Sequence, residues 1–225
     1  MATVKVVDLL AKVQTLLQDA TGVRWPLTEL QGWLNDAYRD TLILRPDANT
    51  LVGEFVCVAG ARQNITSTFA GADRLVNVLR NTAAASRKSA VALGSRQSLD
   101  SMLRDWYAQT PSINVELYMF DPRTPKEFFV YPPATTTARL EVMYAQVPTP
   151  HALSQSELSS SSTAETIRIA DTFATPLMDY IMYRAYSKNT ESASNAAKAG
   201  AYYQSFQAGL GVKGQSEAAS QPGVA

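Results

Sequence analysis

Apolar residues recur at three- and four-residue spacing near the start of the chain, a pattern typical of amphipathic helices. The first run comprises Val6, Leu9, Leu10, Val13, Leu16 and Leu17. It predicts a helix over residues 4–18. A second run follows Pro26, which suits a first helical position, and ends before Arg45 and Pro46. The connection is short, so we expect these two helices to form an antiparallel hairpin.

The pattern changes towards alternation after residue 50, which is typical of strands. Candidate strands are residues 51–58, 75–79, 113–120, 128–131 and 140–144. Turns separate the last three strands, so we predict that they form an antiparallel meander. A short helix is expected around Leu99 and Trp106, with Ser98 as its N-cap.

Polar and helical segments alternate in the last third of the chain. Residues 154–163 are rich in serine and predict a mobile surface loop. Phe173, Leu177 and Ile181 indicate a fourth helix, and a fifth runs from about residue 190 to Leu210. Beyond residue 211 no apolar period is left, so we expect a tail that is disordered unless a partner orders it.

These elements predict an α+β protein in which the N- and C-terminal helices form a helical bundle beside a central antiparallel β-rich region. The bundle would comprise residues 1–49 and 165–211, and the β-rich domain, with one short helix, residues 50–150. The Ser-rich loop would occupy residues 151–164 and the flexible C-terminal tail residues 212–225.

Composition excludes several classes of protein. The chain has 225 residues, of which 46% are hydrophobic and 18% charged, as in ordinary globular domains. Lys plus Arg equals Asp plus Glu at 20 each, which removes the general electrostatic argument for a nucleic-acid or membrane-surface protein. The N-terminus lacks a signal-peptide pattern and no apolar stretch is long enough to span a bilayer. We therefore expect a protein that folds in a cytoplasm and has no membrane partner.

Residues 60–104 are locally basic. They contain Arg62, Arg74, Arg80, Arg87, Lys88, Arg96 and Arg104 against Asp73 and Asp100. Such a stretch is typical of a solvated face, and the alternatives are contact with an acidic neighbouring subunit or with DNA.

The sequence offers little chemistry. His151 is the single histidine and stands in a Pro-rich loop, far in sequence from Cys57, which is most simply a small buried hydrophobe. No spacing fits zinc, an EF-hand or a phosphate-binding loop, so we expect neither a metal site nor a cofactor and predict a non-enzymatic protein. A hydrolase that uses two carboxylates stays open, because it needs no local motif.

The aromatic strand residues have two interpretations. Tyr118, Phe120, Phe128, Phe129 and Tyr131 could form a stacking platform for carbohydrate or single-stranded nucleic acid. The alternative is that they form the core of the sheet. Exposure of Tyr118 and Phe128 would distinguish these two interpretations.

An ordered series of phrases extends over most of the chain. It runs through Arg24-Trp25-Pro26, Asp36-Ala37-Tyr38-Arg39, Ala59-Gly60-Ala61-Arg62-Gln63, Leu75-Val76-Asn77-Val78-Leu79, Tyr118-Met119-Phe120-Asp121-Pro122-Arg123, Phe128-Phe129-Val130-Tyr131-Pro132-Pro133 and Asp179-Tyr180-Ile181. In this order the phrases resemble the head-to-tail adaptors of short-tailed bacteriophages, the tail tubular protein A type.

The resemblance implies a virion component that is assembled in the host cytoplasm. It implies a homo-oligomer, typically a dodecameric ring, that joins the portal protein to the tail nozzle protein while genomic DNA passes through. The tail would then reach the portal. On that basis the expected portal-binding residues are Tyr202, Tyr203, Phe206, Leu210, Val212 and Lys213.

Overall fold

The computed structural model describes residues 2–188 and 193–220, with side chains up to residue 211. Its described part is α+β, as predicted, with six α-helices and two sheets. The helices are α1 Val6–Leu17, α2 Leu27–Leu44, α3 Arg96–Met102, α4 Gln155–Leu158, α5 Ala174–Ser187 and α6 Ala193–Ser220. The strands are β1 Thr50–Val56, β2 Gly60–Asn64, β3 Ala72–Asn81, β4 Ala92–Leu93, β5 Leu117–Phe120, β6 Glu127–Ala134 and β7 Arg139–Gln146.

The chain divides into two compact units. The first, here called the helical unit, is discontinuous and comprises residues 1–48 and 148–225. The second, the β unit, comprises residues 49–147.

The carboxylate of Asp19 organises the turn between α1 and α2 in the helical unit. It accepts hydrogen bonds from the backbone N–H groups of Val23, Arg24 and Trp25, at 3.1, 2.9 and 2.9 Å. These bonds hold the pKa of Asp19 below its usual value, the bond from Trp25 being the largest cause. Pro26 is the N-cap of α2, one position before the first helical residue at which the sequence pattern places it.

One hydrophobic core joins the elements of the helical unit, because each long helix turns its apolar stripe towards it. The core residues of α1 and α2 are Val6, Leu9, Leu10, Val13, Leu17, Leu27, Leu30, Trp33, Leu34, Ala37 and Tyr38. Those of α5 and α6 are Leu177, Tyr180, Ile181, Met182, Ala185, Phe206 and Leu210. Leu158, Ile167, Ile169 and Phe173 complete it from the segment between.

The segment that precedes α5 is more ordered than the Ser-rich composition predicts. Ser154 and Glu157 form a capping box around α4, and Leu158 is buried. Further on, the carboxylate of Asp171 accepts hydrogen bonds from the N–H groups of Thr3 and Val4. Residues 3–4 are therefore fixed to the segment that directly precedes α5.

The β unit contains two sheets that face each other across a common core. One has the strand order β1-β7-β3 and the other β2-β6-β5-β4, in which only the short β4–β5 pair is parallel. Both sheets contribute to one buried cluster that includes Phe55, Val78, Phe128, Val130 and Val142. The rings of Phe55 in β1 and Phe128 in β6 meet edge to face, with centroids 5.5 Å apart.

The predicted meander is wrong. β5 pairs with β6, but β7 pairs with β1 and β3 in the other sheet. Residues 113–116 lie outside β5, although they continue its alternation. Alternation identifies the buried face of a strand but does not identify the neighbouring strand. β6 and β7 lie in different sheets and bury their apolar faces in the same core, so their alternation looks the same as that of two paired strands.

Asn81, at the end of β3, replaces a missing strand partner. Its side chain is fully buried, donates to the carbonyl of Val115 at 2.8 Å and accepts from the Val115 N–H at 2.8 Å. We expect Asn81→Ala to lower the free energy of unfolding by about 2–4 kcal/mol, because both backbone groups of Val115 lose their partner away from water. Urea unfolding of the full chain measures this.

Asn77→Ala is the matched control for that measurement. Asn77 lies on the same strand, is half-buried, and accepts one hydrogen bond from the hydroxyl of Tyr118 at 2.7 Å. Its replacement should cost about 1 kcal/mol. Equal costs at the two positions would contradict the role given to Asn81.

The end of α6 also differs from the prediction. The helix continues to Ser220, whereas the sequence pattern ends the last helix near residue 211 and predicts a tail without regular structure. Glu, Gln, Lys and Ala are good helix formers, so residues 213–219 can continue a helix that no apolar period requires. Residues 221–225 lie outside the described part of the chain.

Candidate functional site

Four tyrosines form a half-buried aromatic surface on the helical unit, here called the tyrosine patch. They are Tyr183 and Tyr186 of α5 and Tyr202 and Tyr203 of α6. The rings of Tyr186 and Tyr202 are nearly parallel at 5.7 Å between centroids, and those of Tyr183 and Tyr203 are tilted at 4.9 Å. Because α5 and α6 pack side by side, their flanking aromatics pair along the seam between them.

One basic and one acidic residue, Lys198 and Asp179, lie at the edge of the tyrosine patch. The Nζ of Lys198 lies 5.2 Å from the centroid of the Tyr186 ring, within the range of a cation–π contact. Burial raises the pKa of Asp179, while a hydrogen bond from Ser205 opposes the shift. Burial also raises the pKa of the Tyr202 hydroxyl, so Tyr202 is a neutral donor at physiological pH. An amphipathic surface of this kind suits binding to another protein, since large aromatics often dominate interface energy.

The structure divides the expected portal-binding residues into three groups. Tyr202 and Tyr203 are partly exposed in the tyrosine patch. Phe206 and Leu210 are 0% and 2% exposed in the core of the helical unit, so in this conformation they offer no surface to a partner. Apolar spacing on the helix predicted that Phe206 and Leu210 make contacts, but it could not distinguish contacts with the protein's own core from contacts with a partner. Val212 and Lys213 lie in α6, with side chains outside the described part.

A second polar cluster, which the sequence analysis missed, surrounds His151. The imidazole is buried, and its Nε2 lies 2.9 Å from the hydroxyl of Tyr38. Its Nδ1 makes a short hydrogen bond to the carboxylate of Glu165, which also accepts from the guanidinium of Arg168 at 2.7 Å. We call Tyr38, His151, Glu165 and Arg168 the His151 cluster. Its members come from distant parts of the chain, and no spacing rule connects them.

The cluster places an acid, an imidazole and a hydroxyl in series, the order found in nucleophilic triads. Tyr38 and His151 are only 1% and 3% exposed, however, so no substrate can reach the hydroxyl. Burial raises the pKa of Tyr38 to about 12, which makes its hydroxyl a poor nucleophile. The geometry therefore indicates a structural role.

The comparison with known protein families gives a match over nearly the whole chain. The model of the SU10 adaptor protein family matches residues 4–225. The chain belongs to the SU10 adaptor protein family. No curated protein matches it significantly.

Membership of the SU10 adaptor protein family confirms the resemblance to phage adaptors. The family is one of structural adaptors, and a phage adaptor is a component of the virion. Across the described residues, no helix has the length and apolar character that a membrane crossing requires. Nor do residues 2–188 and 193–220 bring together three His, Cys, Asp or Glu side chains suited to hold a metal ion.

In this SU10 adaptor family member, the aromatic strands do not form an exposed platform. Tyr118 is 6% exposed and Phe128 is 0% exposed. Phe129 and Tyr131 pack with Trp106 on the outer side of the second sheet, beneath α3. The two rings whose exposure distinguishes the interpretations are therefore buried, whereas Phe120, Phe129 and Tyr131 are half-buried. This weakens the alternative of a carbohydrate- or nucleic-acid-binding surface at these residues.

Most cations of the basic stretch have acidic partners. Arg62 pairs with Glu127 at 2.6 Å and Arg80 with Glu141 at 2.7 Å, and both pairs cross between neighbouring strands. Arg74 and Arg96 lie 3.4 and 3.6 Å from Asp73 and Asp100. The stretch is mainly a solvated face with paired charges, which weakens the argument for DNA contact along its whole length.

A cleft of about 480 Å³ in the β unit contains the aspartates Asp100 and Asp121. A hydrolase based on two carboxylates would need such a cleft. Both carboxylates hold local structure instead: Asp100 accepts from the indole Nε1 of Trp106 at 2.7 Å, and Asp121 accepts from the N–H of Arg123 at 2.9 Å. Their arrangement favours a structural role over glycoside hydrolysis.

Proposed function

We propose that this chain is a structural head-to-tail adaptor of a short-tailed bacteriophage. In this proposal it forms a ring, typically dodecameric, that joins the portal protein to the tail nozzle protein and lines the channel for the genome. The observation that carries the proposal is the family match over residues 4–225. The net charge of +0 is compatible with a channel wall that does not retain DNA.

The proposed portal contact comprises the tyrosine patch and the C-terminal end of α6, with Tyr202, Tyr203, Val212 and Lys213. In this arrangement the terminal helices form a bundle from which α6 extends. Gly209 supports this, because a Cβ at this position would lie 3.1 Å from the ring of Pro176, in the first turn of α5. The residues of α6 that follow Leu210 therefore continue past the N-terminal end of α5.

Two variants test the portal contact. Combined replacement Tyr186→Ala and Tyr202→Ala removes the parallel ring pair, and deletion of residues 212–225 removes the end of the chain. For each we expect binding to preformed portal rings to weaken by about 30-fold, the loss typical of one interface hot spot. Sedimentation with purified portal rings measures this.

The matched controls are Tyr202→Phe, which keeps the ring, and Gln204→Ala, an exposed neighbour on α6. Both should bind portal rings as the unaltered chain does. If both test variants bind with unchanged affinity while remaining folded, the proposed contact is wrong. Electron microscopy of the saturated complex tests the ring separately, since an adaptor that decorates the portal without closing into a ring would contradict that part.

A further inference from the structure

The His151 cluster is a closed circuit of hydrogen bonds between α2 and the segment that precedes α5. The backbone N–H of Arg168 donates to the Tyr38 hydroxyl at 3.2 Å, and that hydroxyl lies 2.9 Å from Nε2 of His151. Nδ1 of His151 contacts Glu165, and the guanidinium of Arg168 returns to the same carboxylate oxygen. Every bond in the circuit lies within the helical unit.

The circuit fixes where the protons lie. An ionised carboxylate only accepts hydrogen bonds, so Nδ1 of His151 carries the proton that faces Glu165. A neutral imidazole then has a lone pair on Nε2, which accepts from the Tyr38 hydroxyl. The Tyr38 oxygen is free to accept from the Arg168 N–H. All four groups are satisfied with His151 neutral.

A second proton on His151 breaks this pattern. The second proton would sit on Nε2 and face the hydroxyl proton of Tyr38. The hydroxyl proton would then have to turn away from His151, although the Tyr38 side chain is only 1% exposed. Among the described residues, the hydrogen bonds of the Tyr38 hydroxyl run to Nε2 of His151 and to the backbone N–H of Arg168, and neither nitrogen can accept once Nε2 is protonated. The buried hydroxyl proton would lose its partner, which is costly.

The circuit lies where α2 holds an extended part of the chain. Gln31, one turn before Asn35, repeats the same arrangement: its side chain accepts from the N–H of Leu153 at 3.0 Å and donates to the Leu153 carbonyl at 3.2 Å. Two amide side chains of α2 thus act as a strand partner for residues 151–153. His151 is the titratable group in this attachment.

We propose that His151 is a proton-operated latch that holds residues 148–169 on α2 when neutral and loosens them when protonated. The latch acts inside the helical unit and does not depend on the partner that the chain binds. The titratable and charged groups that face the imidazole are Tyr38 from α2 and Glu165 and Arg168 from its own segment.

The electrostatics agree with this geometry. Burial lowers the pKa of His151, the hydrogen bond and charge of Glu165 oppose the shift, and the charge of Arg168 adds to it. A histidine with a lowered pKa in the folded state contributes stability that is fully present above its ordinary pKa of about 6.5 and is lost as pH falls through the folded value. The latch therefore opens on the acid side of neutrality.

The experiment uses the fact that the chain contains a single histidine. Side-chain ¹⁵N NMR of the full chain should show a neutral imidazole protonated at Nδ1 at pH 7.5, with a titration midpoint below 6.5. Hydrogen exchange, expressed as protection factors at pH 7.5 and 5.5, should show residues 148–169 losing protection in acid. Because the ordinary pKa is about 6.5, this loss between pH 7.5 and 5.5 should not exceed about tenfold, however far the pKa of His151 is lowered in the folded state.

Two variants isolate the cause. His151→Gln cannot take up a proton in this range, so its protection factors for residues 148–169 should no longer differ between pH 7.5 and 5.5. Tyr38→Phe removes the hydroxyl and should raise the midpoint of His151. A midpoint at or above 6.5, an Nε2–H tautomer, or acid loosening that persists in His151→Gln would each overturn the latch.

Discussion

Replacing Phe206 with alanine should lower the free energy of unfolding by about 3–5 kcal/mol. Phe206 is fully buried in the helical unit, and its ring meets that of Tyr180 edge to face at 5.2 Å between centroids. Truncation removes this packing and leaves a cavity between α5 and α6 that rigid helices cannot close. Guanidinium unfolding of the full chain, followed by circular dichroism, measures the shift.

Gln207→Ala is the control for Phe206, because the neighbouring side chain is exposed on the same helix. Its effect should stay within about 0.5 kcal/mol. The comparison also tests the assignment of Phe206 to the core. A Phe206→Ala chain that keeps normal stability but binds portal rings poorly would return this residue to the list of partner contacts.

Phe128→Ala should have a similar cost in the β unit, about 3–5 kcal/mol. Phe128 is fully buried and packs against Phe55 of the facing sheet, so its ring fills the space between the two sheets. A double-mutant cycle with Phe55→Ala should give a coupling of about 0.5–1.5 kcal/mol beyond the separate costs. Chemical unfolding of the four chains provides the cycle.

Phe120→Ala is the control, because it also removes a phenyl ring from the second sheet. Phe120 lies at the end of β5 and is only half-buried. It should cost clearly less than Phe128→Ala. Equal costs, or additivity between Phe55 and Phe128, would mean that the two rings do not pack together as described.

The periodic parts of the fold were predictable from sequence. α1 and α2 follow directly from apolar residues at helical spacing. The predicted strand over residues 75–79 lies within β3, where Leu75 and Val78 are buried in the core of the β unit. The pairing of β7 was not predictable, because it depends on which of two sheets accepts an apolar strand. The cap of α3 was also displaced: the side chain of Ser95, not Ser98, accepts at its N-terminus. Ser95 directly precedes the first helical residue Arg96, whereas Ser98 lies inside α3 and donates its N–H to the Ser95 side chain.

The candidate site was only partly predictable. Large aromatics on a helix predicted Tyr202 and Tyr203 as contacts, which stays a prediction, but Tyr183 and Tyr186, which lie beside them in the tyrosine patch, were not predicted. Their i, i+3 spacing was the available signal, since it places both on one side of α5. The His151 cluster had no such signal, because Tyr38 and Glu165 approach His151 only once the helical unit has folded.

The hydrogen bonds between Thr3 and Asp171 join two distant parts of the chain, and this has a consequence for synthesis on the ribosome. Residues 1–48 belong to the same unit as residues 148–225, so α1 and α2 leave the ribosome before the partners of their apolar faces have been translated. Translation of residues 49–147 takes on the order of ten seconds in a bacterium. The continuous β unit can mature during that delay, whereas the N-terminal hairpin has to remain soluble without its core, and slowing translation in this interval should expose it to chaperones and aggregation.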